Sequence, residues 1–390
     1  MRHFLGTLIL LLSGPSLADD CTLRGTGDLG VVVERASGSV LIVDSSKNAA
    51  IGRVTGLGDL AHASVAFSRD ARHAYVFGRD GGLSKVDLLC RKLEKRVVQA
   101  GNSVGGAISQ DGRVVAVSNY DPGGVKLFSA ETLEPIADMP AKTAAGGNSK
   151  VVGLVDAPGN RFVYSSFEGD EIRLLNLVAG QVKDGGVLRN VGRLPYDGNI
   201  TPDGRYYLAG LFGEDGLALV DLWAEKPEAR RILNGYGRGE RQLPVYKMPH
   251  LEGWAVVGGR LFLPAVGHHR VLVADTRNWS EVAQIPVRSQ PVFVVARPDG
   301  REVWVNFAVP DNGHVEIIDT EKLQVVRHLE PGPGVMHLEF TPRGEALWLS
   351  VRDSDKVLVY DTATYQPIAT IPAEKPSGIF FTHRAHRIGL

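Results

Sequence analysis

Two histidines occupy the same position relative to a turn, and both could bind a metal. His62 lies eight residues before Asp70, and His250 lies eight residues before Gly258. Neutral imidazole is a common axial ligand of haem iron, and its pKa near neutrality also allows it to transfer protons. The shared offset indicates equivalent positions in a repeated unit, so the repeat has to be established first.

Further candidates lie in the second polar turn of each repeated unit, and two of them are a guanidinium and a carboxylate. Arg79 lies in "FGRDGG", nine residues past Asp70, and Asp121 lies in "SNYDPGG", ten residues past Asp111. Arginine binds carboxylates through two parallel hydrogen bonds, and a carboxylate can take up or deliver a proton. We expect Arg79 and Asp121 to lie near His62, and most other polar residues of these turns to be solvated.

The elements that position these residues form a repeat of apolar runs separated by glycine and aspartate turns. Alternating Val, Leu and Tyr residues between such turns are typical of short strands and hairpins. The repeat length of 41 to 55 residues matches a four-stranded propeller blade. Seven modules are centred on the turn residues Asp70, Asp111, Gly159, Asp203, Gly258, Asp299 and Arg343.

The two ends of the chain supply an eighth blade. "LGVVVERASGSVLIVD" (29–44) is the second half of a module, and "PSGIFFTHRAHRIGL" (376–390) is the first half. Pairing them hides two open sheet edges. The sequence therefore predicts an all-β, eight-bladed β-propeller in which one blade is closed by both chain termini.

Blade geometry places the two histidines on opposite sides of the channel. The turn after the inner strand lies on the lower face, so a residue eight positions earlier lies at the upper end of that strand. His62 then belongs to the second blade and His250 to the sixth. A planar metallo-tetrapyrrole standing in the channel mouth would fit between them. Two polar residues lining a wet channel would produce the same pattern.

The N-terminus has the order of a secretory signal. Arg2 and His3 precede the apolar run "FLGTLILLL", and "SLA" is a small-residue cleavage site. We expect a cleaved signal peptide at 1–18, a tail at 19–28, one propeller domain at 29–390, and a periplasmic protein.

Composition and cysteine content exclude several classes. The net charge of −1 does not favour nucleic-acid binding, and no later apolar run is long enough to span a membrane. No C-x-x-C-H motif is present, so no covalent c-type haem is expected. An oxidising compartment would permit a bridge between Cys21 and Cys90, whereas a mobile tail around Cys21 favours free thiols.

Several stretches resemble a known family. "LAHASVAFSRDARHAYVFGRDGGLSKVD" resembles the haem-ligand segment of the haem d1 domain in cytochrome cd1 nitrite reductase. "RGTGDLGVVVERASGSV", "GGAISQDGRVVAVSNYDPGGVK" and the ending "KPSGIFFTHRAHRIGL" resemble haem d1 biosynthesis proteins related to that domain. The resemblance covers nearly the whole chain after the leader.

The resemblance implies roles for individual residues. His62 matches the family's axial iron ligand, Arg79 stands in the "GRDG" beside the macrocycle, and His250 in "MPHLEG" resembles a distal-side histidine. Tyr196 in "LPYDGN" stands where the reductase has its other distal histidine. We take Asp121, Tyr196 and His250 as candidates for proton transfer. The tyrosine and the missing c-type haem argue against a nitrite reductase.

The implied function is in denitrification: binding of haem d1 or a late precursor, which the protein modifies or hands on for maturation of nitrite reductase. Its implied partners are other haem d1 maturation proteins and cytochrome cd1 nitrite reductase. A non-enzymatic carrier is an alternative, and a calcium-dependent propeller lactonase is a further one. The sequence leaves the choice between enzyme and carrier open, and it contains no dinucleotide-binding fingerprint.

Overall fold

The alternating apolar residues of the repeat form short antiparallel strands, four to a sheet, and eight such sheets form the ring. The computed structural model describes residues 21, 23–236 and 253–389. The prediction of an eight-bladed propeller is confirmed. In chain order the strands are β1 Leu29–Glu34, β2 Ser39–Asp44, β3 Ala49–Val54, β4 Ser64–Phe67, β5 His73–Phe77, β6 Gly82–Asp87, β7 Lys92–Val98, β8 Asn102–Ile108, β9 Val114–Asp121, β10 Val125–Ser129, β11 Pro135–Met139, β12 Val151–Ala157, β13 Arg161–Ser166, β14 Glu171–Val178, β15 Gln181–Arg189, β16 Pro195–Ile200, β17 Tyr206–Leu211, β18 Leu217–Asp221, β19 Ala229–Ile232, β20 Ala255–Val257, β21 Arg260–Ala265, β22 Arg270–Asp275, β23 Ser280–Pro286, β24 Pro291–Ala296, β25 Glu302–Phe307, β26 Val315–Asp319, β27 Gln324–Leu329, β28 Val335–Phe340, β29 Ala346–Val351, β30 Lys356–Asp361, β31 Pro367–Pro372 and β32 Pro376–Phe381.

The blades follow the chain in order. Blade 1 combines β32, β1, β2 and β3, and blades 2 to 8 take the remaining strands four at a time from β4 to β31. The first strand of each blade lines the channel. We call the end where the inner strands begin the upper face, and the opposite end the lower face.

Within residues 21, 23–236 and 253–389, helical structure is limited to three short 3₁₀ segments, Val266–His268, Arg352–Ser354 and Thr382–His386. In the described part of the chain, no helix has the length and apolar character needed to cross a membrane.

The Asp-Gly-Arg turns join the first and second strands on the lower face, as predicted. In blade 3 the Ser109 hydroxyl donates to Asp111 at 2.6 Å, and the backbone N–H of Arg113 donates to the same carboxylate at 3.1 Å. Gly112 has a φ of +72°, a conformation that glycine adopts without a steric penalty. Ser68 with Asp70 and Thr201 with Asp203 repeat the hydroxyl–carboxylate bond. Each of these repeat units therefore contains the residues that stabilise its own turn.

Blade 1 closes the ring through both ends of the chain. β32 pairs antiparallel with β1, with Gly30 opposite Phe381. A Cβ at Gly30 would lie 2.5 Å from the Phe381 ring, so this pairing requires glycine. Phe381 also packs edge-on against Trp348 of blade 8, with ring centroids 5.4 Å apart. The C-terminal strand thus joins the first blade to the last.

The segment after β32 crosses the lower end of the channel. Arg384 donates two hydrogen bonds to Glu339 of blade 8, at 2.8 and 2.5 Å, and both side chains are only 6% exposed. The Gly389 N–H donates to Asp156 of blade 4. Because these contacts reach blades on different sides of the channel, the tail braces the ring from below.

A disulfide joins Cys21 to Cys90, at the turn between the third and fourth strands of blade 2. Of the two alternatives for these cysteines, the chain therefore forms the bridge, and the free thiols that a mobile tail would favour are excluded. Arg24 holds the same tail through ion pairs with Asp28 and Asp44 at 2.5 and 2.7 Å. The tail is packed against the lower face, which brings the two cysteines together. The predicted signal peptide at 1–18 lies outside the described residues.

We expect Arg384→Met to lower the free energy of unfolding by about 3–5 kcal/mol, because Glu339 would remain buried without its partner. Arg343→Met, which removes an 87% exposed arginine from a surface ion pair with Glu345, is the matched control and should change it by about 0.5 kcal/mol or less. Chemical denaturation of both variants measures the difference. Equal losses would contradict a stabilising role for the buried pair.

Candidate functional site

His62 lies at the upper face, two residues before β4, on a loop fixed by two carboxylates. Asp59 accepts a hydrogen bond from the Ala61 N–H at 2.8 Å, and Asp80 accepts one from the Asp59 N–H at 3.1 Å. Arg96 holds Asp80 in an ion pair at 2.5 Å. The imidazole is half-buried. This network fixes the backbone immediately before the proposed metal ligand.

Arg79 lies in the turn between β5 and β6, in direct contact with the same loop. Its backbone N–H donates to the Asp59 carbonyl at 2.8 Å, and its own carbonyl accepts from the Ser103 N–H of blade 3 at 3.3 Å. The guanidinium is exposed. The backbone of Arg79 thus connects the His62 loop to the next blade.

Two further arginines converge with Arg79, and the sequence reasoning missed both of them in this role. Arg35 lies in the β1–β2 turn of blade 1 and Arg352 in the corresponding turn of blade 8. Burial lowers the pKa of Arg35, and the charges of Arg352 and Arg79 lower it further against the opposing charge of Asp59. Arg352 pairs with Asp353 at 2.7 Å.

The charge of this arginine cluster, Arg35, Arg79 and Arg352, is only partly balanced. Among the described residues, neither the Arg35 nor the Arg79 guanidinium forms an ion pair or a side-chain hydrogen bond. A guanidinium group without an ion-pair partner can bind a carboxylate or another anion by donating paired hydrogen bonds to it. The upper face therefore has a positively charged rim over blades 8, 1 and 2 that could bind an anion.

Tyr196 is the second residue of β16, the inner strand of blade 5. Its hydroxyl lies 2.6 Å from that of Tyr120, near the end of β9 in blade 3. The rings of Phe167 and Phe212 pack against Tyr196 at 5.7 and 5.6 Å. Burial raises the pKa of Tyr120 to about 12 and that of Tyr196 further, and Arg79 opposes both shifts. Both phenols therefore stay protonated near neutral pH and act as donors.

Asp121 is exposed at the end of β9, next to Tyr120 in sequence. Successive residues of a strand point to opposite faces, so the Asp121 carboxylate and the Tyr120 phenol diverge. The Asp121 carbonyl accepts a hydrogen bond from the Gly101 N–H at 3.1 Å. Asp121 therefore lies beside the loop that precedes β8, close to the backbone of Arg79.

His250 lies outside the described residues. The turn used to place it is present, since β20 and β21 flank Gly258 and Gly259. Its position opposite His62 stays a prediction.

A cavity of about 800 Å³ occupies the lower half of the channel. Trp254, His337 and His383 line it, and the C-terminal tail bounds it from below. Burial and the Arg387 charge lower the pKa of His383 to about 4, which keeps that imidazole neutral. The cavity lies at the opposite end of the channel from the residues predicted to bind a ligand.

The donors at the upper face fit an iron tetrapyrrole in chemical type. An imidazole nitrogen suits the iron, and unpaired guanidinium groups suit peripheral carboxylates. Phe167 and Phe212 offer half-buried aromatic surface for a flat ring. Tyr120 could have been found from the sequence by its position beside Asp121 at the end of an upper-face strand.

Comparisons with known proteins agree with this chemistry. A family model described as "Cytochrome D1 heme domain" matches residues 24–385. Protein NirF of Stutzerimonas stutzeri is 58% identical over 386 residues, which cover 98% of this chain and 99% of that protein. Protein NirF of Pseudomonas aeruginosa is 56% identical, with full coverage of both chains. The solved structure of dihydro-heme d1 dehydrogenase NirN in complex with DHE is 27% identical, with a TM-score of 0.82, and the match covers 96% of this chain and 79% of NirN.

We expect Arg79→Gln to stabilise the ligand-free protein at low ionic strength by about 0.2–1 kcal/mol, because it removes one of three mutually repelling charges. Arg277→Gln is the matched control, since Arg277 is exposed but paired with Asp275 at 2.6 Å. Thermal melting at low and high salt measures both. A loss of stability in Arg79→Gln, or a gain that persists in high salt, would contradict the charge argument.

Proposed function

We propose that this chain, which belongs to the Cytochrome D1 heme domain family and to its NirF group, functions in haem d1 biosynthesis. In this proposal it binds haem d1 or a late tetrapyrrole precursor at the upper mouth of the channel. The observation that carries the proposal is the arginine cluster beside the His62 loop. An iron tetrapyrrole with carboxylate side chains would supply the anions for these cations and a metal for the imidazole. The similarity to NirN, solved in complex with DHE, supports this ligand class.

Each residue has a defined task in this proposal. His62 binds the iron, while Arg79 and Arg35 bind the carboxylate side chains. Asp121, Tyr196 and His250 remain candidates for proton transfer, with Tyr196 as a donor because its pKa is raised. The bound tetrapyrrole would supply a redox-active iron and a conjugated ring. The protein residues would hold the tetrapyrrole in place and transfer protons to or from it.

The protein then either modifies the ligand or hands it on. Arg79 is exposed, so a carboxylate edge bound there would be accessible to a protein partner. Cytochrome cd1 nitrite reductase or another haem d1 maturation protein would be such a partner. Incubating a small amount of protein with excess precursor separates the two roles, because an enzyme converts many equivalents and a carrier converts none.

We also propose that the protein is periplasmic, after removal of residues 1–18. The disulfide between Cys21 and Cys90 supports this location, because such bonds persist in oxidising compartments. Sequencing the N-terminus of the protein isolated from cells tests the cleavage.

We expect His62→Ala to change the visible absorption and the spin-state spectrum of the complex with ferric haem d1, and to weaken binding about tenfold or more. His328→Ala, on an exposed outer strand next to Glu316, is the control and should leave both unchanged. An unaltered spectrum in His62→Ala would show that another residue ligates the iron.

Arg79→Gln should weaken haem d1 binding by about 10- to 150-fold, since it removes charge-assisted hydrogen bonds, while the axial-ligand spectrum stays as in the wild type. Arg277→Gln again serves as the control. Titration followed by absorbance gives both affinities. Wild-type affinity in Arg79→Gln would remove this residue from the ligand site.

A further inference from the structure

The hydrogen bond between Tyr120 and Tyr196 joins two blades that are not neighbours. Tyr120 belongs to blade 3 and Tyr196 to blade 5, and blade 4 lies between them. Side chains of non-adjacent blades can meet only over the inner ends of the strands. The two hydroxyls therefore lie above the inner strand of blade 4, at the wall of the channel mouth.

A local irregularity of the inner strand positions Tyr196 there. The register of β16 against β17 shifts between Pro195 and Gly198, which leaves Tyr196 and Asp197 in a bulge. Bulges redirect side chains and are common beside functional sites. A Cβ at Gly198 would lie 2.2 Å from the Tyr207 hydroxyl, so glycine is required where the bulge ends.

The pair has one hydrogen to spare. Each phenol carries one hydroxyl hydrogen, and one of the two hydrogens is used between them. Within the described chain, no other acceptor bonds to either hydroxyl. Phe167 and Phe212 flank Tyr196 with rings that accept no conventional hydrogen bond.

The surrounding charges favour donation by this remaining hydrogen. Burial keeps both phenols protonated, with Asp197 acting in the same direction. Arg79 lies close enough to oppose the shift of both groups. Its positive charge makes each phenol a stronger donor and would stabilise negative charge on an oxygen that the pair contacts.

We infer that Tyr120 and Tyr196 act together as a hydrogen-bond donor to an oxygen atom of the bound tetrapyrrole, which makes Tyr120 a ligand-binding residue. The inference rests on the proposed function. The accepting oxygen belongs either to a carbonyl or carboxylate on the rim of the macrocycle or to an anion bound to the iron. Both sources offer the same acceptor chemistry, and they give different spectroscopic signals.

The test compares wild type, Tyr120→Phe, Tyr196→Phe and the double variant, each as the full mature chain with ferric haem d1. Tyr206→Phe is the matched control. It removes a half-buried phenol from blade 5, but at the lower face, where Tyr206 packs on Trp279 at 5.0 Å. Thermal melting confirms that each variant is folded.

Each upper-face variant should weaken haem d1 binding about two- to twelvefold, the range for one hydrogen bond. The double variant should lose less than the product of the two single losses, because the hydroxyls act as a unit. A shift of the carbonyl or carboxylate infrared bands in both single variants identifies the rim oxygen. Weaker fluoride binding to the iron, with those bands unchanged, identifies the iron-bound anion.

Two results would overturn the inference. If wild type binds haem d1 and both variants match Tyr206→Phe in affinity, infrared bands and fluoride binding, the pair does not contact the ligand and the proposed function stands. If wild type binds no haem d1, the proposed function fails and the inference fails with it.

Discussion

Each blade of the ring buries both faces against its neighbours, so the ring is stable only if the last gap between blades is closed. Antiparallel pairing of β32 with β1 closes it, with Phe381 packed over Gly30 on one side and against Trp348 on the other. The single strand β32 thereby completes the sheet of blade 1 and the apolar cores that this blade shares with blades 8 and 2. Without it the chain would expose sheet edges that favour aggregation.

The same closure assembles the candidate site. Arg35 lies on the closing blade, with Arg352 on the blade before it and Arg79 on the blade after it. The three cations approach one another only when both chain termini are in place. The repulsion between these three charges destabilises the folded protein locally, and the cooperative packing of the ring outweighs it. An anionic ligand would reduce the repulsion. In the proposed function, ligand binding would therefore depend on the same three blades that complete the fold.

The sequence predicts most of the architecture, because repeated turns and alternating strands carry the information locally. The spacing from His62 to Asp70 was sufficient to place His62 at the upper face. Arg35 and Arg352 could not be assigned to the site in this way. Their roles depend on the rotation between neighbouring blades and on the side of each turn from which the side chain emerges. The sequence of a single repeat unit determines neither of these. The sequence left the pairing of Cys21 with Cys90 open for a similar reason, since the bridge depends on how the tail packs.

The two halves of the described mouth differ in chemistry, and the difference implies an orientation for a flat, acidic ligand. Blades 8, 1 and 2 present the arginine cluster, whereas blades 4 and 5 present half-buried aromatic rings. A tetrapyrrole would place its carboxylate edge on the first half and its ring against the second. Because Arg79 is exposed and Phe167 is half-buried, the acidic edge would face solvent first. A protein that receives the ligand would therefore need cations of its own to compete with Arg79 before the ring leaves the aromatic wall.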